Sequence, residues 1–322
     1  MCGLAALASS DPVLIAALED TLDTLARHQG PVGQIPSNVG EGSVSYGGRA
    51  GRVDASTWWL VAVGIAHRIT GDDDRLRARW PAVERAIGAL RAWEINDGGL
   101  LYVPTAGDWA DEFPVSGYLL MDNALYRWAL LELHAAAARA GLPVPALARE
   151  PDAVVLERLW GGDAYHAGLE PSGPLPWFDA LGNALALLLD PSGPHRDALL
   201  AAAWSRLDHD LIPAFDPPIR PGDPGWPRLV ALAAHGFRNA PGRYHNGGLW
   251  PMNAGFWAIA ARCAGDERIA DRLLAGIRAA NAHGFPEYLE AGTGAPGGVR
   301  GQGWSAAAEI LASPRGRVVA PG

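Results

Sequence analysis

Two stretches of this sequence hold carboxylates where proton chemistry could be done. "DWADEF" sets Asp108, Asp111 and Glu112 beside Trp109 and Phe113, and "GFPEYLEAG" sets Glu287 between Phe285 and Tyr288, with Glu290 following. Cleaving a glycosidic bond calls for such a pair. One carboxyl stays protonated and gives its proton to the leaving oxygen, while a second, ionised, activates water or attacks the sugar. An apolar setting raises a carboxyl pKa and so suits the first role. Asp111, flanked by Trp109 and Phe113, meets that demand. It reads equally as a charge complementing a helix N-terminus, a role that Asp108 or Glu112, otherwise solvated loop acids, could also fill.

Other polar groups cluster around aromatic rings. "VDASTWW" puts Asp54 at the mouth of an apolar helix, followed by Trp58 and Trp59. Asp is a good N-cap, but a carboxylate beside Trp platforms also suits sugar hydroxyls. "RYHNGGLWP" gathers Arg243, Tyr244, His245 and Asn246 before Trp250, with two glycines that permit close backbone approach. The chain has 13 Trp against 7 Tyr and 6 Phe. Such a surplus fits stacking on sugars, and it fits the filling of a large helical core as well.

Several chemistries are excluded or disfavoured. There is no Lys, which removes Schiff-base, P-loop and Lys-base mechanisms. No HxxxH, HExxH or GxSxG occurs, so neither a catalytic metal nor a nucleophile elbow is expected. "MCG" could expose Cys2 as an N-terminal nucleophile of the amidotransferase kind, but that chemistry belongs to a β-rich sandwich. Cys2 and Cys263 form no disulfide framework. The formal net charge of -9 argues against nucleic acid or anionic lipid as partner. No run of apolar residues is long enough to span a membrane, and no leader is evident. A cytoplasmic protein without cofactor is expected, and the oligomeric state is left open.

The elements that must position these residues are helices. Periodicity near 3.6 predicts helices over Val13–His28 (capped by Ser10 or Asp11), Asp54–Thr70, Asp72–Trp93, Tyr118–Ala140, Met252–Ala264, Asp266–His283 and Trp304–Leu311. Weaker signals cover Pro151–Leu159, Asp179–Leu189, His195–Leu207 and Gly225–Ala234, about eleven helices in all. No sustained two-residue alternation occurs, so strands are expected only as short hairpins in loops. Long loops rich in Gly, Pro and aromatics recur once per helix pair: Gly30–Val53, Asp97–Gly117, Gly161–Trp177, Phe215–Trp226, Gly236–Trp250 and Gly284–Gly303. Loops of that length in a compact domain are usually functional. The layout is that of an all-α toroid of helical hairpins with its working loops at one end. No domain boundary is visible, so residues 1–322 are expected to form one domain.

Taken in order, "GQIPSNV", "GRVDASTWWLVAVGIAHRITGD", "DWADEFPVSGYLLMDNALYRWAL", "FDALGNALALLLD", "RYHNGGLWPMNAGFWA" and "FPEYLEAG…GQGWSAAAEIL" resemble the six-hairpin (α/α)6 glycosidases. The resemblance is greatest to the alkaline/neutral invertases. The "DWADEF" stretch is also similar to the glucosidase domain of glycogen-debranching enzymes, and the trehalase-like and mannosylglycerate-hydrolase-like glycosidases are more distant relatives. The resemblance implies an inverting hydrolase of an α-glucoside, with sucrose as the named guess and a debranching-, trehalase- or glucosylglycerate-type glucosidase as alternatives. A catalytically inactive sugar-binding toroid is a further alternative. The implied acid is Asp111 and the implied base Glu287, roughly 6.5–9.5 Å apart. Asp54, Trp58, Trp109, Tyr244, His245, Asn246, Trp250, Gln302 and Trp304 are the expected sugar-binding set. Two departures stand out. Little sequence precedes "VDASTWW", so the expectation is either that part of the first hairpin is lacking or that the true start lies upstream of Met1. The "DWADEF" stretch also lacks the basic residues expected near the acid of sucrose-cleaving members.

Overall fold

The computed structural model describes residues 1–47, 51–96, 98–150 and 155–321. The first four residues of the helix expected over Pro151–Leu159, the Asp97 start of one long loop and part of another, 48–50, lie outside them.

Eleven α-helices are formed among the described residues: α1 Cys2–Ser9, α2 Pro12–Arg27, α3 Asp54–Thr70, α4 Asp73–Arg91, α5 Leu120–Ala140, α6 Ala180–Leu189, α7 Arg196–Ser205, α8 Trp226–Ala231, α9 Pro251–Cys263, α10 Glu267–Asn281 and α11 Gly303–Ala312. Local chemistry sets their ends. Asp11 caps α2 through Val13 N–H at 2.8 Å, Asp72 caps α4 and Asp266 caps α10. Gly71 and Gly141 end α3 and α5 at φ +69° and +64°, a conformation that favours glycine. Val155–Leu159 forms a 3-10 turn instead of an α-helix. The helix α1 was not expected from periodicity.

The helices make two layers. The chain packs α1 on α11, α11 on α9, α9 on α6, α6 on α5, α5 on α3 and α3 back on α1, which closes a ring. The longer members α3, α5 and α9 are buried over most of their length. Outside them lie α2, α4, α7 and α10, with an exposed face. α1 stands at the place of the first hairpin in the ring and also packs on a 3-10 helix, Pro314–Val319.

Ring closure demands close backbone approach. A Cβ at Gly64 in α3 would overlap the Glu132 side chain of α5. Gly64→Ala is therefore expected to lower stability by about 1–3 kcal/mol, although Ala is the better helix former. Urea unfolding checks this, and a rise in midpoint would show that the α3–α5 spacing is not set there.

The loops are more ordered than short hairpins alone would make them. A hairpin of the expected kind does occur, β1 Asn38–Gly40 with β2 Ser43–Ser45. Elsewhere β3 Tyr118–Leu119, β4 His166–Glu170, β5 Gly173–Asp179 and β6 Phe215–Asp216 pair antiparallel in that order. Beyond them, bridges Pro213–Leu249 and Leu249–Leu289 stitch the loop before α9 to the loop carrying Glu287. These connections gather loops at one end of the ring.

Candidate active site

Asp111 stands on the loop between α4 and α5. Its rings do not wrap it as the sequence suggests. Trp109 and Phe113 both stack on Phe215, at 6.4 and 4.2 Å between centroids. The Asp111 side chain, 39% exposed, instead meets Arg52, whose Nη2 donates to Oδ2 at 2.7 Å. Burial still raises its pKa, with Arg52 opposing. The Arg52 guanidinium also reaches Asp54 Oδ2 at 3.7 Å. It links the acid to the start of α3.

Glu287 is held from the opposite loop. It is buried, its Oε2 accepts Val299 N–H at 3.0 Å, and Gly298 at φ +71° lets that backbone lie against the carboxylate. Tyr244 joins the two sides. Burial raises its phenol pKa, with Arg238 opposing and the charges of Glu287 and Asp111 adding to the rise. Tyr288, next to Glu287 in the chain, meets the Tyr244 ring at 5.9 Å between centroids. On the other side Arg238 stacks over the Tyr244 ring at 4.0 Å and pairs with Glu112, the neighbour of Asp111, at 2.7 Å.

An aromatic wall adjoins Tyr244. Trp109, His245 and Trp250 are in mutual ring contact at 5.1–5.5 Å, and Tyr244 stacks on His245 at 4.0 Å. Trp304, 37% exposed, approaches Trp250 at 6.5 Å. His245 is buried, and its pKa is driven well down by desolvation and then by Arg238 and Arg52, so the ring is neutral near pH 7. Gln302 is the N-cap residue of α11, its N–H on Phe285 C=O at 2.9 Å. A cavity of about 470 Å³ opens beside this wall, with Arg52, Asp54, Trp58, Trp109 and Trp304 in its lining.

Several expectations need correcting. Asn246 is buried and fully engaged: its amide donates to Ile219 C=O and Asn239 C=O, and its oxygen accepts Ile219 N–H at 2.7 Å. It holds the loop together and has no group left for a sugar. Trp250 is likewise a buried packing residue, with its Nε1–H on Tyr244 C=O at 3.0 Å. Asp108 is not a solvated loop acid. It is 3% exposed and accepts Ala110 N–H at 3.0 Å. Nor is Glu112 a helix-terminus charge, because α5 begins only at Leu120 and Glu112 is buried against Arg238.

The sequence reading also missed a cluster. Asp54, Asp108, Asp122 and Asp179 converge at the loop end of the ring, all buried. Burial pushes Asp54 to about 6, Asp179 to about 7 and Asp108 to about 8. It pushes Asp122 well up, with Asp108, Asp54 and Asp179 adding to the shift. Neither Asp122 oxygen has a hydrogen-bond partner among the described residues. No group of His, Cys, Asp or Glu among those residues is arranged to hold a metal ion. Arg52 and Arg238 were missed too. Arg52 sits two residues before Asp54 in the quoted motif, which was a usable signal, whereas Arg238 carried none.

No protein-family model matches this chain, and no curated protein matches it. Solved structures do. The GH63 mannosylglycerate hydrolase of Thermus thermophilus in complex with Tris and D-glycerate superposes with a TM-score of 0.74 at 19% identity, over 96% of this chain and 91% of that one. Its glucose complex gives 0.71 at 20% identity over the same shares. A glycosidase variant gives 0.66 at 19% identity, over 97% of this chain and 85% of the other. At such identities the likeness establishes the fold, an all-α helical toroid shared with these glycosidases.

Proposed function

We propose that the whole chain, residues 1–322, is one catalytic domain of an inverting glycoside hydrolase acting on an α-glucoside in the cytoplasm. The observation that carries this reading is that the loops bearing Asp111 and Glu287 are joined through Arg238, Tyr244 and Tyr288, in a toroid shared with known glycosidases. Asp111 gives its proton to the glycosidic oxygen as the C–O bond breaks. Glu287 takes a proton from a water whose oxygen bonds the anomeric carbon from the opposite face. The products are the free alcohol and a sugar of inverted anomeric configuration, with one water consumed. Asp54, Trp58, Trp109, Tyr244, His245, Gln302 and Trp304 are the residues we assign to substrate. Neutral His245 is a hydrogen-bond partner for a hydroxyl.

The test is a substrate panel followed by NMR of the product anomer as first formed. Sucrose leads the panel, with trehalose, maltooligosaccharides and glucosyl- and mannosylglycerate beside it; the mannosylglycerate hydrolase likeness motivates the last two. The expected result is turnover of at least one member with an inverted first product. A retained configuration would sink the mechanism, and sugar binding without any turnover would leave a sugar-binding toroid instead.

A further inference from the structure

The cavity beside the site has an unequal lining. Arg52, Asp54, Thr21, Ser37, Asn38 and Ser45 give it polar groups, whereas Leu4, Leu18, Leu22 and Leu25 of α1 and α2 and Met252 and Phe256 of α9 give it an apolar side. The fold explains the opening. The two-turn α1 lies firmly on α11 but meets α3 only thinly, so the junction between α1 and α3 is not filled. The result is apolar surface facing open space, including the half-buried Trp58 and Leu25. Covering the leucine side with an apolar group is favourable, whereas sugar hydroxyls set against the leucines themselves would lose water without gaining partners there.

We propose that this cavity receives an apolar aglycone, a linear alkyl chain or a single aromatic ring, so that alkyl and aryl glycosides rather than sucrose are the substrate class. This deepens the hydrolase reading and rests on it. Arg52 lines the cavity, and its guanidinium holds Asp111, the group that protonates the leaving oxygen. The leaving group therefore departs beside the cavity lining. The size fits: the volume of about 470 Å³ lies within the range of small-molecule sites, and a cavity of roughly 150 Å³ already admits benzene.

The experiment is a series of methyl, butyl and hexyl α-D-glucosides, whose leaving groups differ in length but hardly in acidity. In the wild type kcat/KM is expected to rise about threefold to fourfold per methylene, mainly through KM, until the cavity is full. Leu25→Gln and Ala62→Phe, which make the wall polar or fill the space, should flatten the series while leaving the methyl glucoside unchanged. Both residues line the cavity and neither belongs to the catalytic machinery. Thermal unfolding confirms that each variant is folded, and if Ala62→Phe is not, the half-exposed Leu25→Gln decides. A flat wild-type series, or a slope that survives the folded variants, overturns the proposal while leaving the hydrolase reading intact. If no glycoside turns over, the hydrolase reading fails and the cavity is read by saturable binding of 1-hexanol alone in NMR. Binding that Leu25→Gln weakens supports an apolar site, and no binding overturns it.

Discussion

Asp111→Asn and Glu287→Gln are each expected to lower kcat on a hydrolysed glycoside by on the order of 10²–10⁴-fold, with thermal unfolding little changed. The reasoning follows from where each group sits. Asp111 is 39% exposed and makes one strong contact, to Arg52, so an amide there leaves the fold intact. Glu287 accepts a backbone N–H through one oxygen, which a glutamine oxygen reproduces. What both substitutions remove is proton transfer. The pH profile adds a second readout. Arg52 holds the Asp111 pKa below the value that burial alone would give. Arg52→Gln should therefore raise that pKa and move the basic limb of kcat/KM to higher pH, because the acid works only while protonated. Full activity in the double variant Asp111→Asn/Glu287→Gln would dismiss the assignment.

Stability is expected to fall between pH 6.5 and 8.5, by an amount that lowers Tm on the order of 5 °C or more. The carboxyls of Asp179 and Asp108 have folded-state pKa values raised to about 7 and about 8, and Asp122 is raised well above its ordinary value. A carboxyl raised on folding binds a proton in the native state that the unfolded chain does not. Its stabilisation is full below the unfolded pKa and drains away as pH climbs through the folded value. Neutral His245 acts oppositely: its pKa is depressed on folding, so its contribution is lost only as pH drops below about 6.5. The window above that value thus belongs to the carboxyls. Asp122→Asn, which replaces a buried acid by a neutral isostere, should raise Tm at pH 6.5 and by more at pH 8.5, because the unfolded aspartate is ionised at both values and the cost of keeping the native one protonated grows with pH. A wild-type Tm that is flat across this window, or an equal gain in the variant at both pH values, would mean that the cluster is already charged in the native protein.

The cluster also shows where sequence reasoning stopped. Asp54, Asp108, Asp122 and Asp179 lie in four separate stretches, and each alone looks like a helix-end charge or a loop acid. Asp179 precedes α6, and Asp54 stands in the first turn of α3, where Val53 takes the N-cap position expected for it. A residue's place at a helix end does not reveal that three other acids face it.

Helix identity is a short-range property. It follows from an apolar stripe repeating every three or four residues, from caps such as Asp11 and Asp72, and from stops such as Gly71 and Gly141. Hence Asp54–Thr70 was legible to the residue, and the toroid followed from counting pairs and loops. The eight-residue α1 escaped because its apolar residues run all around it; that surface shows no stripe, and packing on α11, on the Pro314–Val319 3-10 helix and on α2 orders it. The site depends on other terms. Which acid is paired, which is kept neutral and which amide is already spent are decided by desolvation and by Coulomb interactions between groups far apart in sequence. Arg52 meets Asp111 across 59 positions and Arg238 meets Glu112 across 126. The sequence by itself determined the helices, the order of the loops and the two carboxylates worth suspecting. Only closure of the ring decided their partners, because burial and distance do not exist until the loops have been brought to one end.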